Sequence, residues 1–207
     1  MNDSFTATKT IIFDTAVGMI ATVGFENMSM RELADAVGIK VSSLYYHFSS
    51  KQDILDSIYN YYCQHMFDNR ASIEQSKRVI ESGNREEIFN TIIYDYFDQN
   101  EKKTRRMVLT AKIIMMRLFN DERARCIFLE FSYTGSAVYV KELLEYGVSI
   151  GRFEDFDIDT YVDLLASQEF FMGTKTFTNP DYFIRYPDEK KRINKMCMDI
   201  LPIKHER

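Results

Sequence analysis

The run Met28-Ser29-Met30-Arg31-Glu32-Leu33, with Gly38 after it, constrains the fold more than any other part of the chain. Ser29 is an N-cap and Glu32, three residues on, completes a capping box. Met28 and Leu33 occupy the positions of a hydrophobic staple. Gly38 follows Val37 and supplies a left-handed stop, so the helix opened at Ser29 is short. Ile39 leads into a second short helix that runs to Phe48, with Leu44 and Phe48 four apart on one face. Upstream, Ile12, Ala16, Met19 and Val23 repeat at 4-3-4 spacing, the apolar stripe of a longer helix. Gly24 ends that helix, with Phe25 placed for the accompanying contact. A helix followed by two short ones across a Gly-containing turn is the plan of a helix-turn-helix.

The rest of the chain reads the same way. Its 207 residues hold 3 prolines and 8 glycines, too little turn chemistry for a sheet-rich fold, so the expected class is all-α, with about nine helices. Ser49 or Ser50 caps a fourth helix, with Gln52 or Asp53 at the matching N3 position. It is expected to continue to about Ser82, where Gly83-Asn84 breaks it. Asn84 caps a run with Glu86 and Glu87 in its first turn and Phe89, Ile92, Ile93 and Tyr96 facing inward. A helix from about Lys103 to Phe119 carries Met107, Ala111, Ile114 and Leu118. A long one from about Asp121 to Tyr146 ends near Gly147 and Gly151. Asp157 caps another, from about Ile158 to Phe177, closed by Asn179-Pro180. The last runs from about Asp188 to Ile200, before Pro202. Two domains are expected: 1-49, the helix-turn-helix, and 50-207, a helical domain.

Several function classes are disfavoured. No run of about 18 apolar residues is present to span a membrane, and MNDSFTATK lacks the pattern of a secretion signal. Cys63, Cys126 and Cys197 are far apart and odd in number, which suits buried free thiols in a reducing cytoplasm. His47, His65 and His205 are scattered, and His65 and Cys63 are two apart on different sides of a helix, so neither metal nor cofactor is expected. The net charge of −5 argues against a protein that coats nucleic acid nonspecifically, while leaving sequence-specific binding to local charge. Residues 1–65 hold 4 Lys/Arg against 7 Asp/Glu, yet no acidic residue stands between Asp35 and Asp53.

That acid-free stretch contains KVSSLYYHFSSK, residues 40–51. Leu44 and Phe48 point inward. Ser42 and Ser43 are short enough for the helix backbone to enter a major groove, and Tyr45, Tyr46 and His47 can donate to phosphate oxygens. Lys51 opposes the dipole of the helix it opens, a placement that makes sense if an anion sits there on the free N-terminal amides. Residues 5–60 resemble the DNA-binding domain of the TetR (tetracycline repressor) family. The likeness rests on Gly24-Phe25, Ser29 to Ala34, Val37-Gly38-Ile39, Leu44-Tyr45-Tyr46-His47-Phe48 and Lys51. The resemblance implies that Arg31 reaches a base edge or nearby phosphate, that Val41, Ser42 and Ser43 read bases, and that Tyr45, Tyr46, His47 and Lys51 grip phosphates. Ser29 adds a phosphate contact or serves only as a cap, Tyr45 grips or only packs, and Val41 offers an apolar contact such as to a thymine methyl. Two positions depart from the family pattern. Lys40 stands where a small hydroxyl residue usually opens the recognition helix, and the N-terminal arm offers only Lys9.

For the downstream half, the resemblance implies an effector held among the middle helices and a homodimer formed by the last two long ones. Candidate pocket residues are Phe89, Ile93, Tyr96, Phe97, Met107, Ala111, Met115, Phe119, Phe128 and Phe170, with Tyr94, Thr110 or Gln168 as polar anchors. Met and Phe at helical spacing serve equally as plain core. Ala166, Ser167 and Gly173, and Gly135-Ser136-Ala137, allow close approach, to a partner or within the chain. The expected partners are therefore double-stranded operator DNA, a second copy of the chain and a small-molecule effector. The reading is a cytoplasmic repressor released from a palindromic operator by a small, largely apolar ligand. An adaptor that kept the fold without DNA binding is the alternative. An all-α enzyme has no Ser/His/Asp grouping, carboxylate pair or phosphate loop to support it.

Overall fold

The structure, a computed structural model, describes residues 7–68, 71–93, 101–179 and 181–204. In chain order the helices are α1 (Ala7–Val23), α2 (Met30–Val37), α3 (Val41–His47), α4 (Lys51–Asp68), α5 (Ile73–Ser82), α6 (Arg85–Ile92), α7 (Glu101–Arg117) and α8 (Glu122–Phe128). A π-helical segment, Leu129–Thr134, runs on into α9 (Gly135–Ser149), followed by α10 (Ile158–Thr178), α11 (Tyr182–Arg185) and α12 (Pro187–Ile200). Among the described residues the sole extended pairing is an isolated bridge between Phe153 and Ile203. The chain is all-α, and no described helix is long and apolar enough to cross a membrane.

The helices gather into two compact units. One comprises residues 1–67 and 99–128, the other 68–98 and 129–207. In the first unit α1 packs on both α2 and α7. That double contact explains its buried face: Ile12, Phe13, Ala16, Val17, Ile20 and Ala21 are inside, while Val23 is 48% exposed. The 4-3-4 stripe captured one flank of a wider surface. Asp14 on α1 receives a two-pronged bond from Arg106 on α7, at 2.5 and 2.7 Å. α8 is tied to α4 by Arg123, which reaches Asp56 at 2.8 Å and Asn60 at 2.7 Å.

The second unit is built around Ile80, Ile88, Phe89, Ile92, Leu143, Leu144, Phe153, Val162, Leu165 and Cys197. Three local signals place its helices. Ser72 and Gln75 form a capping box at α5, Asn84 and Glu87 form one at α6, and Asp157 caps α10 through the Thr160 N–H at 3.0 Å. The expected single helix from residue 51 to 82 is corrected: α4 stops at Asp68 and α5 starts afresh at Ile73. The new start is the Ser72–Gln75 box, which satisfies the orphan amides of a helix without any Gly or Pro to announce it. The expected long helix after Asp121 is present but interrupted by the π segment, whose extra residue per turn lets Ser136 Oγ donate to Phe131 O at 2.6 Å. The three cysteines are free, but Cys126 is exposed on α8 rather than buried.

Candidate nucleic-acid interface

The interface is assembled by caps. At Ser29 the hydroxyl accepts the Glu32 N–H at 3.2 Å, and the Glu32 carboxylate accepts both the Ser29 hydroxyl at 2.7 Å and the Ser29 N–H at 3.0 Å. These bonds from Ser29, aided by the charge of Lys51, hold the Glu32 carboxyl below its usual range. Met28 and Leu33 of the staple are both buried. Gly38 ends α2 at φ 77°, its N–H bonded to Asp35 O, and Ile39 N–H returns to Ala34 O at 3.0 Å. That left-handed turn sets the direction in which α3 leaves α2.

α3 opens at Lys40, whose side chain makes no capping bond. Leu44 and Phe48, 0% and 1% exposed, fix the helix from below, each burial contributing roughly 1.5–3 kcal/mol. The opposite side carries Ser42, Ser43, Tyr45 and Tyr46, all exposed, with Tyr46, at 86%, the most open large hydrophobic side chain among the described residues. Val41 and His47 are half-buried, and the His47 ring meets the Tyr46 ring edge-on with centroids 5.2 Å apart. Arg31 and Lys40 are exposed too. Ser50 Oγ caps α4 by accepting the Asp53 N–H at 3.0 Å, while Asp53 accepts the Ser49 N–H at 2.8 Å.

Lys51 stands differently from what its position suggested. Its ammonium donates to Glu26 O at 3.0 Å and lies 4.5 Å from the centroid of the Phe25 ring. The Arg117 guanidinium, from the end of α7, sits 4.5 Å from the same ring and donates to the Glu26 carboxylate at 3.1 Å and to Asp121 at 3.0 Å. Asp121 also accepts the Tyr59 hydroxyl at 2.9 Å and the Ala124 N–H at 3.1 Å. Burial alone would raise the Asp121 carboxyl, but the bonds from Ala124, Tyr59 and Arg117 outweigh it and leave it below its usual value. Burial, then the bond to Asp121, pushes the Tyr59 phenol well up. The turn after α1 is thus clamped between the first residue of α4 and the last of α7. Nothing local in the sequence signals Arg117, which lies 91 residues from Glu26.

The candidate effector residues divide between the two units. Met107, Ala111, Met115, Phe119 and Phe128 belong to the first, Phe89, Ile93 and Phe170 to the second. Tyr94, Tyr96 and Phe97 lie outside the described residues. Phe89 and Ile93 are part of the second unit's core, Met107 and Thr110 are buried, and Ala111, Met115 and Phe128 are half-buried. Two of the candidates are exposed in the single chain. Phe119 is 85% exposed because α7 ends at Arg117 and the next residues turn outward, and Phe170 is 51% exposed on α10. Among the described residues no group of three or more His, Cys, Asp or Glu side chains is placed to hold a metal ion.

With this geometry in hand, residues 12–58 match the model of the bacterial regulatory proteins of the tetR family. Over that stretch, α1 to α4, the chain is similar to the DNA-binding region of the TetR family. The HTH-type transcriptional repressor KstR2 of Rhodococcus jostii is 32% identical over 77 residues, covering 32% of this chain, and the chain spans about 38% of that repressor's length. Among solved structures, a transcriptional regulator of Saccharomonospora viridis in complex with choline superposes with a TM-score of 0.64 at 16% identity, over 95% of this chain and 98% of that one. The ketosteroid transcriptional regulator KstR2 of Mycobacterium tuberculosis gives 0.61 at 17% identity, over 95% of each. At such identities the superpositions speak for the TetR-like fold across nearly the whole length.

Proposed function

We propose that this chain is a DNA-binding transcriptional repressor that holds a palindromic operator as a homodimer and is released by a small, largely apolar ligand. The observation that carries the reading is α3: two apolar side chains anchor it, and an acid-free surface of small, hydroxyl-bearing and basic groups faces away from the protein. A helix of that kind enters the major groove, with Val41, Ser42 and Ser43 at base edges and Tyr45, Tyr46 and His47 at phosphates. Arg31 and Lys40 add positive charge at the rim. Ser29 acts chiefly as a cap, since its hydroxyl proton and N–H are both taken by Glu32. Lys51 has donors left over after Glu26 and combines a phosphate contact with bracing.

On this reading residues 1–49 read DNA and residues 50–207 sense the ligand and dimerise. Two half-sites lie about one helical turn, roughly 34–36 Å, or a multiple of it apart. Ligand shifts the population towards a form whose recognition helices are misspaced. Repression is supported by the Rhodococcus relative, a repressor by name. The apolar ligand is supported by the mycobacterial neighbour's description as a ketosteroid regulator. Fluorescence anisotropy with duplex from upstream of the chain's own gene tests the proposal. Tight binding that falls steeply with salt is expected. Binding that is weak and insensitive to sequence would favour an adaptor that kept the fold.

A further inference from the structure

Lys51 opens α4 and is a phosphate-gripping cation of the proposed interface, yet what holds its side chain lies elsewhere in the first unit. Its ammonium donates to Glu26 O at 3.0 Å and lies 4.5 Å from the centroid of the Phe25 ring, both in the turn after α1. Those two residues are held in turn by Arg117, the last residue of α7. Its guanidinium is 4.5 Å from the same centroid and donates to the Glu26 carboxylate at 3.1 Å. We infer that Arg117 is a positioning residue for DNA binding: it fixes Phe25 and Glu26 so that the Lys51 ammonium stands where a backbone phosphate arrives, and touches no DNA itself. The inference rests on the operator-binding reading above.

Arg117 is itself well anchored. Its side chain is 18% exposed, and its Nε donates to Asp121 at 3.0 Å. Asp121 also accepts the Tyr59 hydroxyl at 2.9 Å and the Ala124 N–H at 3.1 Å. Tyr59 is fully buried and lies about two turns beyond Lys51 on α4. One guanidinium therefore ties α4 at two places, through Asp121 to Tyr59 and through the Phe25–Glu26 turn to Lys51. A planar fork of donors suits two carboxylates and a ring at once, as a compact ammonium does not.

The bland account is that Arg117 only staples the turn between α7 and α8. Its bond to Asp121, four residues on, does serve that end. The bond to Glu26 does not: it spans 91 residues and reaches a carboxylate that is 79% exposed, where an ion pair contributes little stability. What such a contact does is locate. A lysine loses more rotamer freedom on being fixed than most side chains, and one already held does not lose it again on meeting phosphate. Charge divides to the same effect. The Arg117 guanidinium is paired with Asp121 and Glu26, whereas Lys51 rests on a neutral carbonyl and a neutral ring and keeps donors for a phosphate. The Glu32 carboxylate feels the Lys51 charge, but its hydrogen bonds are made with Ser29.

The test has two arms, both on the full chain. Without DNA, proton–carbon spectra of lysine-labelled protein locate the Lys51 ε-methylene, assigned by its absence from Lys51→Gln. The Phe25 ring current should displace it in the parent, and it should return to the ordinary lysine position in Arg117→Gln. With the upstream duplex, anisotropy is followed over a range of salt. A dimer that loses both Lys51 contacts should show a slope of log affinity against log salt shallower by about 1.8. Arg117→Gln should weaken binding about as much as Lys51→Gln, about ten-fold, and should cost nothing further when added to it. Glu26→Ala, at an exposed side chain, should weaken binding about two-fold, although removing a negative charge beside DNA would by itself tighten it. The inference is overturned if the Lys51 resonance stays put in Arg117→Gln, if the two losses add, or if Glu26→Ala tightens binding; should Arg117→Gln not fold, Glu26→Ala decides. A parent that binds no duplex overturns the repressor reading and this inference with it, whereas a parent that binds while any of those results appears overturns the inference alone.

Discussion

Ser29 and Tyr46 are both hydroxyl-bearing residues near the candidate interface, yet the structure gives them opposite employment. The Ser29 hydroxyl is enclosed in a capping box with Glu32, whereas the Tyr46 side chain projects from α3 into solvent. Replacing Ser29 by Ala removes the cap and costs about 1 kcal/mol of stability, which a urea melt reads directly. Replacing Tyr46 by Ala leaves the melt unchanged and weakens operator binding about two- to ten-fold per half-site, the worth of one hydrogen bond. Anisotropy titrations in which Tyr46→Ala binds as tightly as the parent would remove α3 from the interface. Carboxylates add a pH dependence of definite sign. Glu32, Asp121, Asp157 and Glu189 all titrate below their ordinary values in the folded chain. Their contribution is complete above the unfolded values, 4.5 for Glu and 3.8 for Asp, and is lost as pH falls through the lower folded ones. Urea midpoints should therefore drop on going from pH 6 to pH 3, and less so in Asp121→Asn, which has no carboxylate left to protonate there. A midpoint as steeply dependent on pH in that variant as in the parent would show that the Tyr59–Arg117–Asp121 bonds contribute nothing.

Helices that could be read from the sequence are those whose ends are decided within four residues. The Ser29–Glu32 box, the Gly38 stop, the Asn84–Glu87 box and the Asp157 cap are all of this kind. The break between α4 and α5 is hard to read because residues 69–71 include neither Gly nor Pro, the strongest stops, and the Ser72–Gln75 box sits inside a run that also suits a continuous helix. The Phe25 clamp was beyond reach for another reason: Lys51 and Arg117 are brought to one ring by packing, and no local pattern encodes that meeting. Likewise the outward face of α3 followed from Leu44 and Phe48, while the partnership of Lys51 with Glu26 did not. Two glycines separate conformational from steric demands on an element. Gly38 has φ 77° with open space around its missing Cβ, so Gly38→Ala should cost about 1–2 kcal/mol through backbone strain alone. Gly147 lies in ordinary helix, but a Cβ there would run into the Phe153 ring, so Gly147→Ala should cost about 1–3 kcal/mol by overpacking. Trimming the ring with Phe153→Leu in the same chain should restore part of the second loss and none of the first, and chemical denaturation of the single and double variants measures both.

At the scale of the whole molecule the question is how one short helix acquires enough affinity to act as a switch. Seven residues of α3 reach only a few base pairs, so a useful operator needs two copies held at fixed spacing. On the proposed reading the second unit holds them, and its exposed apolar residues are the candidates for that contact. On α10, Leu164 and Phe171 stand seven residues apart on one face and are 37% and 52% exposed. On α12, Met196 and Ile200 stand four apart and are 56% and 50% exposed. Gln168 of α10 and Asn194 of α12 are joined at 3.3 Å, so the two helices run side by side there. Apolar side chains at helical spacing on two adjoining helices are what a four-helix interface between copies requires. The small residues are divided in their service: Ser167 is exposed, but a Cβ on Gly173 would press against Phe177 of its own helix. A charge placed at the centre of this face separates the contributions. Phe171→Asp should convert a dimer to a monomer in sedimentation velocity without unfolding either unit, because the ring it removes is half in solvent already. Operator affinity should then fall by far more than the α3 surface accounts for, since the second half-site no longer binds as an intramolecular event. If Phe171→Asp remains dimeric, the copies meet elsewhere. If it becomes monomeric and still binds a full palindrome as tightly as the parent, the spacing of paired helices is not what gives this protein its hold on DNA, and release by a ligand that changes the spacing loses its basis.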